Sequence, residues 1–256
     1  MENSNETEKM NWGDEPEFHG PRDYFRNSLM VYEVTKRKKS GTVLDFGSGS
    51  GNLLLRLARS GYQTTGIDAS DLAVTFLENK IKESNLHQAQ VKKGDDKELS
   101  LLSEKFDILV SGETIEHVED DRGLIKKWFD VLNPDGICVI STPAHQYLWD
   151  LNDDFSSHFR RYETDNLKEK FESAGFIIEK AYYWGFPLTL LWHTQIYNRL
   201  IKNKINRKVN YTKESFLSKC TKNELITKIC SLPFYLDNLF NWTKRGGGII
   251  LIARKK

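Results

Sequence analysis

The sequence predicts an α/β fold: a Rossmann-like, doubly wound seven-stranded sheet, mostly parallel with a last antiparallel strand, plus a helical cap. Six short apolar runs alternate with segments of helical periodicity along the chain. The first run, Thr42–Phe46, leads through the glycine-rich turn 47–51 into an apolar helical segment. A seventh run, Ile249–Ala253, follows an aromatic and lysine-rich stretch that interrupts the alternation.

Each predicted element rests on an apolar run or on residues that begin or end helices. The predicted strands are 42–46, 63–67, 89–93, 106–110, 137–141, 176–183 and 249–253. The predicted helices are 51–60, 70–84, 120–132 and 164–174, preceded by a partly helical segment at 18–39. Gly61 and Gly175 end the first and last of the four helices, and Ser70 caps the second. The turn Asn133–Gly136 stops the third.

The 256 residues divide into four predicted parts. Residues 1–40 form an acidic N-terminal tail and a lid helix. Residues 41–184 form the Rossmann-like, cofactor-binding core. Residues 185–245 form a helical cap over the site for the second substrate, and residues 246–256 return to the core as its closing strand.

Composition narrows the possible partners only locally. The net charge is +1, so no overall field selects a partner. Between Arg199 and Lys228 there are nine Lys or Arg residues against two Glu, which suits an anionic substrate, a membrane surface, nucleic acid or a solvated helical face. Three cysteines without a CxxC motif indicate a reducing compartment. With no signal peptide or spanning run in the sequence, the expected location is cytoplasmic.

Polar residues follow several predicted strands at their carboxyl ends. They are Asp45, Gly47, Asp68, Asp95, Ser111 and Glu113. Carboxyl ends of parallel strands meet at one edge of a sheet, and ligands bind there. Asp68 lies 21 residues after Gly47, where such folds hold a ribose by its hydroxyls. This convergence predicts a nucleotide-binding enzyme.

The turn 47–51 does not match the dinucleotide fingerprint, because Asn52 stands where its third glycine or alanine is expected. No phosphate-binding loop motif is present either. Residues 45–51 instead resemble the first motif of class I S-adenosylmethionine-dependent methyltransferases. Four further stretches, at 68, 94–96, 106–118 and 132–136, resemble later motifs of that family in the right order. In the last of them Asp135 replaces the usual first glycine.

The resemblance implies S-adenosylmethionine as the cofactor. The residues implied to bind it are Asp45, Gly47, Ser48, Gly49, Gly51, Asp68, Ala69, Asp95, Asp96, Ser111 and Glu113. A cationic sulfonium also suits a site bordered by carboxylates.

A second informative stretch is Ser111–His117. If it is helical, Glu113, Glu116 and His117 share one face and can bind a hard divalent cation. It resembles metal-dependent methyltransferases, both those that modify the terminal ribose of small RNAs and the ubiquinone-pathway O-methyltransferases. The implied ligands of Mg²⁺ or Mn²⁺ are Glu113, Glu116, His117 and His158, with His145 as the second match for the last position.

A reading without a metal is also open. In it Glu113 borders the cofactor, and His117 stacks or acts as a general base. The candidate catalytic residues are therefore His117, His145 and His158. Arg160, Arg161 and Tyr162 either grip the acceptor or form structural ion pairs that anchor their loop to the sheet.

The resulting prediction is a methyltransferase that methylates an oxygen of a small metabolite, sugar or lipid-linked acceptor. The alternatives are a metal-dependent ribose 2'-O-methyltransferase acting on RNA, and a non-catalytic nucleotide-binding protein. For the segment Tyr182–Tyr197 we rank core packing first, an acceptor pocket second and peripheral membrane contact through Trp184 and Trp192 third. The sequence leaves open the acceptor, the methylated atom and the oligomeric state.

Overall fold

The structure, a computed structural model, describes residues 20–198 and 223–256. The predicted acidic tail, Glu2–Glu17, and most of the basic segment 199–228 lie outside the described residues. No helix within the described ranges is both long and apolar enough to cross a membrane.

Seven strands and eight α-helices are present in the described ranges. The strands are β1 (Thr42–Phe46), β2 (Gln63–Asp68), β3 (Ala89–Lys93), β4 (Phe106–Gly112), β5 (Leu132–Pro143), β6 (Phe176–Trp184) and β7 (Gly248–Lys255). The helices are α1 (Pro21–Arg37), α2 (Asn52–Arg59), α3 (Asp71–Glu83), α4 (Asp121–Val131), α5 (Leu151–Phe155), α6 (Thr164–Ser173), α7 (Leu188–Leu191) and α8 (Glu224–Ser231). Short 3₁₀ turns lie at Glu98–Leu101, Ile115–His117, Gln146–Leu148 and Leu232–Phe240, and a π-helical turn at Trp192–Tyr197.

The strands form one sheet in the order β3-β2-β1-β4-β5-β7-β6. Strands β1 to β5 are parallel to one another, whereas β7 runs antiparallel to both β5 and β6. The order reverses direction between β1 and β4, so the crevice beyond their carboxyl ends is the expected ligand site. The predicted fold class is confirmed.

Apolar residues cover both faces of the sheet, as the alternation of side chains along a strand requires. On β1, Val43 packs with Phe25 and Met30 of α1 on one face, while Leu44 packs with Trp128 of α4 on the other. Helix α1 therefore lies directly on the sheet, with its first turn at the carboxyl edge.

The predicted turn at residues 133–136 occurs within β5 rather than before it. Leu132 pairs with Phe106, and Ile137 pairs with Ile108, so β5 has extra residues between two successive pairs. Asp135 has a φ of 59° at this excursion. The turn residues do bend the chain, but hydrogen bonding to β4 resumes on both sides of the bend.

The predicted cap contains α7, the π-helical turn, α8 and the 3₁₀ turn Leu232–Phe240 in its described part. Asp237, fully buried, accepts hydrogen bonds from the backbone N–H groups of Leu188 (2.9 Å) and Thr189 (2.8 Å). A carboxylate at a helix start satisfies N–H groups that have no partner within the helix. Trp184 is buried and Trp192 packs against the core, so core packing accounts for both rings.

Candidate active site

The loop between β1 and α2 contains the glycines that the sequence singles out. Gly47, Gly49 and Gly51 have φ angles of 73°, 49° and 75°, which glycine adopts without a Cβ clash. A Cβ atom on Gly47 would lie 2.4 Å from Thr114 Oγ1, and one on Gly51 would lie 2.1 Å from Leu77 Cδ1. A Cβ atom on Gly49 would meet nothing within 4 Å. The main chain at Gly49 therefore borders open space.

Asp68, the predicted ribose-binding acid, lies against this loop at the end of β2. The Gly49 N–H donates to Asp68 Oδ2 (2.7 Å), and the Ser70 N–H donates to Asp68 Oδ1 (2.9 Å). Ala69 is exposed beside it, and Ser48 is buried within the loop. The glycine loop and the acid are in direct contact, as the sequence predicts.

Asp45 lies near the end of β1 and is buried. Its Oδ2 has no hydrogen-bond partner among the described residues. Burial, and secondly the charge of Asp68, raises the pKa of Asp45 to about 7. A buried carboxyl in this state is stabilised when a cationic group approaches it.

The residues after β3 and within β4 have different surroundings. Asp95 is exposed and accepts a hydrogen bond from the Lys97 N–H (2.7 Å), which lowers its pKa. Asp96 pairs with Lys127 of α4. Ser111 is buried and donates to the last carbonyl of β1 (2.8 Å). Ser111 thus ties β4 to β1 and has its hydroxyl engaged within the sheet.

Glu113 follows β4 and is held by the first turns of α1. Arg22 Nη2 donates to Glu113 Oε2 (3.1 Å), Arg26 Nη1 lies 3.9 Å from the same oxygen, and Ser141 Oγ donates to Oε1 (3.1 Å). Burial alone would raise the pKa of Glu113, but the two guanidinium groups outweigh it and lower the pKa to about 2. Glu113 is therefore an ionised carboxylate that fastens α1 to the sheet edge.

Glu116, His117 and His158 come together, although 40 residues separate the last two. One ligand atom from each lies within 4.8 Å of those of the others. The His117 and His158 rings are in edge-to-face contact with centroids 4.5 Å apart. Glu116 is fully buried, with Oε2 accepting from Thr142 Oγ1 (3.0 Å) and with no partner for Oε1 in the described part of the chain.

The electrostatics of this trio follow from burial. Burial, and secondly the charge of Glu113, raises the pKa of Glu116 well above its usual value. Burial, and secondly His158, lowers the pKa of His117 to about 3. Three potential ligand groups thus lie close together in a poorly solvated place, where an unpaired negative charge is costly.

The predicted helical face is not formed, which separates Glu113 from this trio. Only residues 115–117 form a turn, and it is a 3₁₀ turn rather than an α-helix. Glu113 precedes it with a φ of 57°, so its side chain lies towards α1 rather than towards His117. Sequence spacing alone assumes regular helical geometry, and this positive φ breaks it.

His158 is oriented by Asp153, a residue that is not among the predicted site residues. His158 Nδ1 lies 2.7 Å from Asp153 Oδ1, and Arg161 donates to both oxygens of the same carboxylate (2.9 and 2.7 Å). Asp153 is fully buried and also accepts the Asp150 N–H (2.8 Å) in a capping box at the start of α5. The D-x-x-D spacing at 150–153 was the available signal for this position.

His145 lies outside the Glu116 trio. Its ring stacks on Tyr183 at 4.6 Å with an interplanar angle of 7°, and its Nδ1 lies 3.0 Å from Glu163 Oε1. Its Nε2 is buried without a hydrogen-bond partner in the described ranges. Of the two histidines predicted for the last metal position, the structure brings His158 and not His145 to Glu116 and His117.

The Arg160–Tyr162 segment is engaged within the protein. Arg160 Nη1 lies 2.7 Å from Asp121 Oδ2, and Tyr162 donates to the same oxygen (2.8 Å). Arg161 pairs with Asp153 as described above. These contacts favour the interpretation of structural ion pairs over a grip on the acceptor.

A cavity that is open to solvent lies between α1, α5, α7 and the ends of β4 and β5. Its lining includes Arg22, Glu113, His158, Arg161, Trp184 and His193. The Arg22 guanidinium lies 5.1 Å from the Trp184 ring centroid, a cation–π contact. The cavity offers polar groups and an aromatic edge beside Glu113 and His158, and neither Arg22 nor its role was evident from local sequence patterns.

Comparisons with known proteins agree with this geometry. The family model of a methyltransferase domain matches residues 21–181. The ubiquinone biosynthesis O-methyltransferase of Azorhizobium caulinodans is 30% identical over 100 residues, which is 39% of this chain and 39% of that protein. A probable S-adenosylmethionine-dependent methyltransferase of Mycolicibacterium smegmatis is 26% identical over 159 residues, 61% of this chain and 60% of that one. The first curated relatives, which are ubiquinone biosynthesis O-methyltransferases, are thus matched over about two-fifths of their own length.

Solved structures show the same fold at low identity. An S-adenosylmethionine-dependent methyltransferase of Archaeoglobus fulgidus has a TM-score of 0.61 at 19% identity and covers 94% of this chain and 97% of that one. A phosphoethanolamine N-methyltransferase of Haemonchus contortus in complex with S-adenosylmethionine has a TM-score of 0.61 at 18% identity, covering 92% and 53%. The fold, the contact between the glycine loop and Asp68, and the family match to well over half of the chain lead to one assignment. This chain belongs to the methyltransferase domain family, and its fold is that of class I S-adenosylmethionine-dependent methyltransferases.

Proposed function

We propose that the protein transfers the methyl group of S-adenosylmethionine to an oxygen of a small metabolite, sugar or lipid-linked acceptor, with help from a divalent cation. The observation that supports this proposal is the convergence of Glu116, His117 and His158 beside a cavity at the cofactor edge. The partial similarity to ubiquinone biosynthesis O-methyltransferases favours oxygen as the methylated atom.

The cofactor would lie across the ends of β1 and β2. Asp68 would accept from the ribose hydroxyls, and the amino acid part would approach the open main chain at Gly49; the contact between Gly49 and Asp68 supports this arrangement. Asp45 has a buried oxygen without a partner in the described ranges, which a cationic group of the cofactor would satisfy. Positioning accounts for most of the catalysis that such a site can supply, since direct transfer needs the acceptor oxygen in line with the methyl group.

The trio fits a hard divalent cation in its donor types. One carboxylate and two imidazoles suit Mg²⁺ less well than Mn²⁺, and both remain in the proposal. Glu116 Oε1 is buried without a partner in the described ranges, and Asp153 orients His158 from behind, as outer-shell carboxylates do for histidine ligands. When bound, the cation would lower the pKa of an acceptor hydroxyl.

The cavity favours a small acceptor over RNA. Its lining contains two guanidiniums and several carboxylates, and its charged groups Arg22 and Arg161 are paired with Glu113 and Asp153. A phosphate backbone needs cations that are available to it. Hydroxyl groups of a sugar or an aromatic diol can hydrogen-bond to such paired groups without separating them.

Two measurements test the proposal. Titration calorimetry should show binding of S-adenosylmethionine and none of NADH; binding of NADH alone would contradict it. A panel of sugars and aromatic diols incubated with a methyl-labelled donor should yield a mass-labelled product. Its formation should stop with a chelator and return with Mn²⁺.

The metal part has its own controls. Mn²⁺ binding, followed by electron paramagnetic resonance, should be lost in Glu116→Gln and His158→Ala and retained in His87→Ala, which alters an exposed histidine away from the site. If the chelator changes nothing and Mn²⁺ does not bind, the cation is removed from the proposal while methyl transfer stands.

A further inference from the structure

Five aliphatic side chains in the segment from α8 to Trp242 are exposed, whereas a helix that only packs on a core buries its apolar residues. Leu225, Ile229, Leu232, Leu236 and Leu239 recur at alternating spacings of four and three, and each is 55–69% exposed. The residues that face inwards are Thr227, Ser231, Phe234 and Asp237, each at most 5% exposed. Three of those four inward residues are polar. We call the five outward aliphatic residues the aliphatic stripe.

The aliphatic stripe is held in place rather than loosely attached. Asp237, on the inward side, binds the backbone at the start of α7, and Asn223 caps α8 through the Leu225 and Ile226 N–H groups. Trp242, just beyond the stripe, is 82% exposed although its Nε1 donates to the Leu239 carbonyl (3.0 Å). A contiguous apolar surface that the fold orients outwards marks an interaction site.

The exposed charged residues of this segment are mostly basic. Lys228, Lys244 and Arg245 are exposed there. The acidic residues from 223 to the C-terminus are Glu224, which lies 3.7 Å from Arg59, and Asp237, which is buried. The chain just before α8 is also rich in Lys and Arg. The segment 223–245 therefore combines exposed aliphatic side chains with three exposed basic residues and one exposed acid.

We propose that the aliphatic stripe and Trp242 dock the protein on an anionic lipid bilayer, with the stripe in the acyl boundary and the basic residues at the headgroups. Amphipathic segments with aliphatic residues on one face, a tryptophan at the interface and basic residues at the polar border bind membranes in this way. The surface differs from the one suggested by sequence, since Trp184 is buried.

A second copy of the chain fits this surface less well. A two-fold contact would place the same patch of both copies together. Lys228, Lys244 and Arg245 of one copy would then approach those of the other, and among residues 223–245 the only exposed acid is Glu224, which already lies 3.7 Å from Arg59. Anionic headgroups supply the missing opposite charge.

Vesicle co-sedimentation of the full chain tests the inference. The protein should sediment with phosphatidylglycerol vesicles at low salt and more weakly with phosphatidylcholine vesicles. The double substitution Ile229→Ser with Leu236→Ser should weaken partitioning about 10- to 100-fold, because each side chain is a little over half exposed and so loses only part of its burial contribution.

A matched control removes an equivalent pair elsewhere. Leu101 and Ile177 are exposed and lie outside the stripe, so Leu101→Ser with Ile177→Ser should bind vesicles like the parent chain. Calorimetry with S-adenosylmethionine confirms that both double variants are folded. If the parent chain does not sediment with anionic vesicles, the inference is wrong. It is equally wrong if sedimentation velocity finds a dimer that only the stripe variant dissociates.

Discussion

Substitution by alanine should have different consequences at three of the glycines with positive φ, Gly49, Gly51 and Gly61. Each substitution by alanine adds one methyl group at a left-handed or related backbone conformation. At Gly51 the new Cβ would lie 2.1 Å from Leu77 Cδ1 inside the core, whereas at Gly49 and Gly61 it would meet nothing within 4 Å. Gly49 lies in the loop that we propose to bind the cofactor, and Gly61 follows the end of α2.

The magnitudes follow from these surroundings. A non-glycine residue at positive φ costs about 1–2 kcal/mol, so Gly49→Ala and Gly61→Ala should each lose about that much unfolding free energy. That corresponds to a fall in melting temperature of about 2–8 °C for a chain of this size. Gly51→Ala adds an overpacking cost of about 1–3 kcal/mol on top.

Affinity for S-adenosylmethionine separates the two surface-facing variants. Gly61→Ala should bind the cofactor like the parent, whereas Gly49→Ala should lose about tenfold or more, since its methyl group occupies the space that the ligand must approach. Thermal melts give the stabilities and calorimetry gives the affinities. Unchanged affinity in Gly49→Ala, with a normal fold, would refute the assignment of the open main chain at Gly49 to the cofactor.

Three further outcomes are expected at the same edge. Asp68→Ala should lower cofactor affinity at least tenfold by calorimetry, because it removes the ribose acid and leaves the Gly49 N–H without its acceptor. Asp45→Asn should raise the melting temperature more at pH 8 than at pH 4.5. The folded protein keeps the Asp45 proton up to about pH 7, whereas the unfolded chain releases it near pH 4, so the stability of the parent falls as the pH rises across that window. Asparagine does not ionise, so the variant does not undergo this loss. Asp153→Ala should cost about 3–5 kcal/mol in denaturant unfolding, since it strands the buried end of Arg161, whereas Asp120→Ala, an exposed helix cap, should cost about 1 kcal/mol.

Sequence patterns were sufficient for the sheet and for the cofactor edge, because topology alone brings strand ends together. The glycine loop, Asp45 and Asp68 each follow a strand whose apolar run is evident, and parallel strands place those ends side by side. The spacing from Gly47 to Asp68 therefore translated directly into a contact in space. No tertiary packing had to be known for that step.

Local patterns were insufficient where one backbone angle or one distant helix decides the outcome. Glu113 was assigned to the same face as Glu116 on the assumption of regular helical geometry, and its φ of 57° redirects it. Its partners Arg22 and Arg26 come from α1, about 90 residues earlier, and no periodicity links them to it. Asp153 orients His158 through a capping box, whose short D-x-x-D spacing resembles an ordinary solvated turn.

The contrast between Glu113 and Glu116 explains how one short stretch can serve two roles at the edge. Glu113 has two guanidiniums and a serine hydroxyl, so its negative charge is balanced within the protein and holds α1 in place. Glu116 is more deeply buried, has one threonine hydroxyl and has no cationic side chain paired with it in the described ranges. An ionised carboxylate that two guanidiniums already balance has little to gain from a bound cation, whereas a buried carboxyl beside two imidazoles, whose raised pKa favours the neutral form, would be stabilised as an anion by one. The positive φ of Glu113 therefore turns a structural carboxylate towards α1 and leaves Glu116 as the carboxyl that the proposed cation would use.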